Sequence, residues 1–489
     1  MKTKNKISLL FMITISLATQ ILSLLKSSIV ASSFGTGELM DAYNLANNIV
    51  TFVFSFVASG ISTIIIPEYA NKRNKKSVDT FITMIYGIMI IVVISMILLR
   101  VQLVGLFGNK EEMLVNIVAN ILIVLLLAQY LLSITNITVA YFQCEGRYNI
   151  PKIISLISQL CVVITLLFVK GINIVQYAYI IALGFVINFV FDIVIALKLG
   201  WRYKPILLFN EESKILFRRF IPIVISTGVY SLTLMVDTTI SSFLDTGKLS
   251  VLSYSSQISS MVNTVLVGNL TIYLYPKITK EINCEGYQRK FWRSTAVLHA
   301  IVCLVSAGFL TVGYNGIILL FQRGEFTAKD SNMVFWGAAI YIVGQQISII
   351  RSLIYRYFYA MGDTKTPGIN SVAVSILNIV FSIILVWIMG FYGIIVGTVL
   401  ASSVSLIMIL SRFGKNIGFD ESILIILARY CKTFVIFIAT VAIVYFTKYI
   451  IPISQNIVSV FVFGVETVII YVLLSSLFNS KVLKNAKDL

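Results

Sequence analysis

The side chains in this chain whose chemistry most needs explaining are the ionisable ones that interrupt long apolar runs. Lys26, Asp41, Asp237, Arg351, Arg356 and Glu466 each lie within or at the edge of such a run. A charge at mid-bilayer costs at least ~2.5–3.5 kcal/mol on insertion scales, which makes each of them a candidate for function. Lys26 falls eight residues before Phe34 and Asp237 seven before Leu244, at matching places in two similar segments. That placement predicts that the two face each other across a cleft. A cation there suits a phosphate-bearing substrate, with the acid holding it when the site is empty. The alternative is a static buried pair that locks the two segments together.

Arg351 is the second candidate for an anionic substrate, because its planar guanidinium bonds two phosphate oxygens at once. Arg356 follows a turn and a half later, where snorkelling to the headgroup layer competes with substrate contact. Asp41 opens a helix, a place where the helix dipole alone favours an acid. Glu466, central in the last apolar run, reads either as a group that couples protons or contacts a carrier, or as a neutral carboxyl bonded to a neighbouring helix. Asp192, within a turn and a half of Lys198, reads as structural, and the Ser402-Ser403 and Ser255-Ser256 pairs as close helix packing.

The elements that position these residues follow from composition. Of 489 residues, 58% are apolar and 12% charged, about half the charge a soluble domain carries. The chain is therefore read as a polytopic helical membrane protein. Five scattered cysteines without a C-x-x-C exclude a disulfide framework, and the single His299, read as a packed helix residue, excludes a His-based metal site. A net charge of +17 would suit nucleic acid, but the basic residues cluster between apolar spans, so no nucleic-acid partner is expected. The basic start followed by an apolar run imitates a signal peptide. The run continues to Phe34, too long for an h-region, and is read as a retained first helix.

Segments of about 20 apolar residues occur near 7–33, 40–66, 78–100, 114–140, 151–169, 174–197, 217–244, 250–275, 294–320, 331–359, 368–389, 392–411, 423–447 and 455–478. This predicts fourteen transmembrane helices, with 40–66 and 331–359 the ones expected to bend or break. With a cytoplasmic N-terminus the inside segments carry 29 Lys and Arg and the outside loops 7; Lys26 and Arg351 lie within spans. That asymmetry predicts both termini in the cytoplasm.

The sequence also resembles itself. Gly35-Thr36-Gly37-Glu38-Leu39 recurs as Asp245-Thr246-Gly247-Lys248-Leu249, and Tyr141-Phe142-Gln143-Cys144-Glu145-Gly146 with Pro151 recurs at an offset of 216 as Tyr357-Phe358-Tyr359-Ala360-Met361-Gly362 with Pro367. A shift of six helices preserves direction through the membrane, so helices 1–6 and 7–12 are read as parallel repeats with two C-terminal helices outside them. The corresponding domains are 1–200, 201–415 and 416–489, an architecture that suits alternating access.

At these same residues the chain resembles the MurJ-type lipid II flippases. The run Lys26-Ser-Ser-Ile-Val-Ala-Ser-Ser-Phe-Gly35 with Asp41-Ala42-Tyr43, Phe142-Gln143-x-x-Gly146 with Pro151, Arg323-Gly324-Glu325-Phe326, and Phe358-Tyr359-Ala360-Met361-Gly362-Asp363-Thr364-Lys365-Thr366-Pro367 carry the likeness. The family belongs to a superfamily with drug extruders and polysaccharide flippases. The resemblance implies a MurJ/MATE-like all-α fold in a bacterial cytoplasmic membrane. It also implies transfer of an undecaprenyl-pyrophosphate-linked cell-wall precursor, lipid II, between leaflets. Asp41 matches a family acid and joins Lys26, Asp237, Arg351 and Arg356 as expected substrate-binding residues, and a groove at the last two helices is expected to hold the lipid tail. Where the family often carries further basic residues, this chain has Gln20, Phe54 and Ser55, and where it has an acid–base pair this chain reads Tyr254-Ser255-Ser256-Gln257.

The competing readings are a flippase for another lipid-linked polysaccharide unit, a MATE-like cation-coupled drug exporter and a membrane glycosyltransferase. The exporter would want acidic sites, and the enzyme a catalytic acidic cluster or large outer loop. The expectation is therefore a transporter without bond-breaking chemistry and without cofactor or metal. Its energy would come from the membrane potential or a coupling ion, since no Walker-type loop is present. The bilayer, the lipid-linked glycan and the cell-wall synthesis machinery are the expected partners.

Overall fold

The structure is a computed structural model that describes residues 2–70, 75–107, 112–169, 171–264, 282 and 284–479. Fifteen helices and no strand occur among the described residues: α1 (Lys2–Phe34), α2 (Glu38–Ala70), α3 (Lys75–Leu98), α4 (Arg100–Phe107), α5 (Glu112–Cys144), α6 (Asn149–Phe168), α7 (Ile174–Lys198), α8 (Glu211–Ser242), α9 (Lys248–Val262), α10 (Tyr287–Phe321), α11 (Ala328–Ala360), α12 (Lys365–Met389), α13 (Phe391–Asn416), α14 (Ile423–Ile450) and α15 (Asn456–Phe478). Each of the fourteen expected spans falls on one of these helices, and α4 is a short continuation of α3. The far end of the span near 250–275 lies outside the described residues. Eleven of the helices (α1, α3, α5 to α7 and α10 to α15) are long and apolar enough to cross a bilayer.

The two spans expected to bend or break are unbroken helices, α2 and α11. In α11 the glycines serve packing. A Cβ on Gly337 would lie 2.5 Å from Ser255 Oγ, and one on Gly344 2.5 Å from Val399 Cγ2. Small residues there let neighbouring helices approach closely.

Helix ends are set by local chemistry. Asn173, Asn210 and Thr327 cap α7, α8 and α11, each in a reciprocal capping box with the residue three positions on. The repeat is visible at the C-termini of α5 and α11. Arg147 N donates to Phe142 O (2.8 Å) and Gly146 N to Gln143 O (3.1 Å), while Asp363 N donates to Phe358 O (3.0 Å) and Gly362 N to Tyr359 O (3.0 Å). Gly146 (φ 70°) and Gly362 (φ 83°) take the left-handed conformation this closure needs. Phe142 and Phe358 are both buried beneath the turns.

The chain forms two compact units, Met1–Ser250 and Val251–Leu489. In the first, α2 packs on α5 and α8, α5 on α7, and α6 on α1 and α7. In the second, α11 packs on α13 and α12 on α13, repeating the α5–α7 and α6–α7 pairs at the equivalent helices; α10 packs on α11, α14 and α15. The first unit includes α8, which packs against α2 and α3. An aromatic cluster of Trp292, Tyr357, Phe358, Phe413 and Tyr430 forms the core at the α11–α12 end of the second unit, and Cys303, Phe437 and Tyr471 join α14 and α15 to α10.

Candidate functional site

Asp41 is the most fully engaged of the residues singled out. Its Oδ2 accepts from Gly247 N at 2.7 Å, and its Oδ1 accepts from Ser250 N at 2.7 Å and from the Ser250 hydroxyl. The donors belong to the first turn of α9 and the residue before it, so Asp41 supplies from another helix the acceptor that an N-terminal turn lacks. An acid in the first turn of α2 therefore serves the N-terminus of α9. Beneath it α2 presents a polar row toward α8 and α9. Asn44 Nδ2 donates to Ser250 Oγ (3.3 Å), Asn48 Nδ2 to Thr238 Oγ1 (3.1 Å) and Ser55 Oγ to Ser231 Oγ (2.6 Å). Spacings of three, four and seven residues keep these groups on one helix face. Gly247 completes the clasp: at φ 88° it lets the turn before α9 press on the turn before α2, and a Cβ there would meet Thr36 O at 2.2 Å. These are the two turns that the sequence repeat pairs. A cavity of about 90 Å³ opens beside the clasp, lined by Glu38, Asp41, Leu45, Val118, Ser242 and Leu249 among others.

Lys26 is half-buried on α1 beside the buried Ser27 and Ser28, and Asp237 is buried on α8. Both belong to the first compact unit. Arg351 is half-buried on α11, its Nη1 3.4 Å from Ser402 Oγ on α13. Arg356 is also half-buried, and the neighbouring Tyr355 hydroxyl accepts from Asn370 Nδ2 (2.9 Å), which also donates to Ser405 Oγ (2.8 Å). Asn370 Oδ1 is buried without a hydrogen-bond partner. Ser255 packs on Gly337 and donates to Val334 O. Asp192 is buried on α7, with Oδ1 lacking a hydrogen-bond partner.

Glu466 is half-buried on α15, within the field of Lys448 on α14. The Lys448 ammonium donates to Thr311 O on α10 and lies 5.0 Å from the centre of the Phe463 ring. Thr311 and Thr467 share a hydrogen bond of 2.9 Å. A span ending at residue 447 places Lys448 in an outer loop, whereas α14 extends to Ile450. The position of Lys448 in the last turn of an apolar helix, 18 residues before an intramembrane acid, was the available signal. His299 is buried, with Nδ1 2.8 Å from Thr433 Oγ1 and its ring edge-on to Tyr430. Among the described residues no three His, Cys, Asp or Glu side chains are grouped to hold a metal ion.

The family model for "Lipid II flippase MurJ" matches residues 30–466. A probable lipid II flippase MurJ of Rickettsia prowazekii is 24% identical over 419 residues, covering 81% of each chain. One of Thermotoga maritima is 23% identical over 423 residues, covering 83% of this chain and 84% of its own. Among solved structures, a lipid II flippase MurJ in an inward closed conformation superposes with a TM-score of 0.83 at 19% identity, over 96% of this chain and all of that one. A multidrug resistance MATE transporter in an inward-facing conformation reaches 0.64 at 15% identity, over 84% of this chain and 95% of its own. The all-α fold is thus shared across both groups, and the family match that runs through the clasp, the paired C-caps and the Arg351 helix is to MurJ. This chain is a multi-pass membrane transporter of the MurJ family.

Proposed function

We propose that this protein is a flippase that moves lipid II, an undecaprenyl-pyrophosphate-linked glycan, from the inner to the outer leaflet of a bacterial cytoplasmic membrane by alternating access. The match of residues 30–466 to the MurJ family carries this reading. The Asp41 clasp supports it. It joins repeat-related turns through hydrogen bonds that can open and re-form, at the end of the helices that the basic-residue count places outside. In this reading the clasp closes the outer side while the site faces the cytoplasm.

Lys26 and Arg351 hold the pyrophosphate, with Arg356 nearer the cytoplasmic headgroup layer and Asp237 balancing the empty site. Helices α14 and α15 hold the polyprenyl tail, and Glu466 tunes that groove. No cofactor takes part. Outward movement of negative charge across an inside-negative membrane gains about 2.3 kcal/mol per charge per 100 mV, so a pyrophosphate draws on the potential directly. A cationic-drug exporter shares the fold, but intramembrane cations at Lys26 and Arg351 oppose a cationic substrate. Cell-wall polymerising enzymes on the outer face are the partners that would consume the product.

Depletion of the protein in its host, followed by leaflet-resolved analysis of lipid-linked intermediates, tests this reading. Lipid II is expected to accumulate in the inner leaflet. Accumulation of a different lipid-linked glycan would reassign the substrate, and unchanged intermediates would reject the flippase.

A further inference from the structure

The link between α7 and α8 carries chemistry that neither the clasp nor the proposed substrate residues use. Residues 201–210 form an extended strap, without helix or strand, laid along α3. Ser77, Thr80 and Thr83 stand on one face of α3 at three-residue spacing. Leu208 N donates to Thr80 Oγ1 (3.2 Å), Ile206 N to Thr83 Oγ1 (3.3 Å), and Asn210 Nδ2 to Ser77 Oγ (2.9 Å). The hydroxyls of Thr80 and Thr83 in turn donate to Lys76 O (2.8 Å) and Asp79 O (2.7 Å). Each threonine thus satisfies its own hydrogen within its helix and offers a lone pair to the strap.

This arrangement matters because non-helical backbone enters the apolar part of a bilayer only when its polar groups are satisfied by protein. The strap meets part of that condition, and its side chains fit such a location. Leu207, Leu208 and Phe209 are 61%, 47% and 68% exposed, and Ile215 and Ile221 continue the exposed apolar surface along α8. Arg202, Lys204, Arg218 and Arg219 are exposed on the same segment. Of the nearby acids, Glu211 pairs with Lys214 at 2.7 Å, Glu212 accepts from Ser77 Oγ at 2.7 Å, and Asp79 accepts from the Lys204 backbone N–H within the field of the Lys204 ammonium. Trp201, buried, stacks on Tyr203 and anchors the start of the strap.

We propose that residues 201–221 are a binding site for anionic phospholipid. Leu207, Leu208 and Phe209 enter the acyl layer of the leaflet on the side where α3 begins, and Arg202, Lys204, Arg218 and Arg219, at about the same depth, reach headgroup phosphates through their long stems. The strap is the covalent link between the two sequence repeats, so a lipid bound there fixes where the second repeat enters the membrane. The proposal is independent of what the protein transports, and its test uses no transport readout.

The test uses the full chain in vesicles, with Phe209→Trp compared with the parent protein and its four native tryptophans. Acyl-brominated phosphatidylglycerol is expected to quench the added indole several-fold more than brominated phosphatidylcholine at equal mole fraction, and aqueous acrylamide to quench it little. Replacing Arg202, Lys204, Arg218 and Arg219 by Gln is expected to abolish that preference, at up to about fivefold in apparent lipid affinity per charge. Quenching by acrylamide but not by brominated lipid would overturn the proposal. So would equal quenching by the two lipids, or a preference that survives the Gln substitutions. Should a variant fail to fold, hydrogen exchange of the unmodified protein decides: residues 203–210 must exchange more slowly in phosphatidylglycerol than in phosphatidylcholine vesicles, and equal rates reject the site.

Discussion

The clasp in the first unit and the α14–α15 pair in the second treat an acid within an apolar chain in opposite ways. Asp41 receives three hydrogen bonds from neutral donors, two of them backbone N–H groups of a single turn. Glu466 lies in the field of Lys448, whose ammonium leans on an aromatic ring and a helix carbonyl. The first acid has its place set by backbone geometry, so its position is defined to a fraction of an ångström. The cation near the second acid sits on a flexible stem, so it can shift by ångströms without any helix moving. In the proposed reading, closure calls for the first kind of contact and a tail groove for the second.

The largest effect is expected at Gly247. An alanine there must adopt φ near 88° and displace Thr36 O from 2.2 Å, a strain of about 1–3 kcal/mol before any loss of clasp contacts. Gly247→Ala is therefore expected to lower the unfolding temperature of the purified protein and to stop lipid II transfer in reconstituted vesicles. Normal values for both would mean that the two turns do not need to touch.

Asp41→Ala leaves the Gly247 and Ser250 N–H groups without their acceptor, at about 1–3 kcal/mol. Asp41→Asn keeps one carbonyl oxygen and should recover part of the loss. If the two variants transported equally well, the carboxylate would not be the element that closes the clasp.

On the other side of the comparison, Lys448→Met and Glu466→Gln should each destabilise the protein more than their combination does, with a coupling of about 0.5–3 kcal/mol in a double-mutant cycle. Additive changes would show that the two charges ignore each other.

The smallest effect belongs to a half-buried acid. The Thr366 hydroxyl and backbone N–H hold the Asp363 carboxyl below the usual carboxylate range. Its contribution to stability is then present above that range and fades as the pH falls through the lowered value. Unfolding curves of the wild type and Asp363→Asn should differ slightly at neutral pH and converge under acid. A gap that widens on acidification would reverse the sign.

The fold was legible in the sequence wherever the signal was local. Apolar run length places the helices, and the matched Tyr141–Gly146 and Tyr357–Gly362 segments foretell two identical helix ends, because a Gly after a buried aromatic dictates that closure. Asp41 stood out as a charge, but its role did not, since the N-terminal turn it serves lies about 206 residues away. Lys448 is not legible as an intramembrane cation because cutting spans by hydropathy assigns a residue at a helix end to the loop, whereas a four-carbon stem lets its ammonium turn back to Thr311. The span near 331–359 is expected to bend or break, yet α11 is continuous, with the Ser255 and Val399 side chains lying against its glycines. The allegiance of α8 to α2 and α3 depends on tertiary packing that periodicity does not encode.

The make-up of the clasp also bears on the surroundings this protein tolerates. Ionic closures between surface side chains weaken as dissolved salt rises, because charges separated by more than about 8 Å are largely screened at physiological ionic strength. Asp41 meets its donors at contact distance, and the partners are peptide groups and a hydroxyl that no counter-ion replaces. A bacterium carrying this protein could move between fresh water and brine with the holding strength of that contact unaltered.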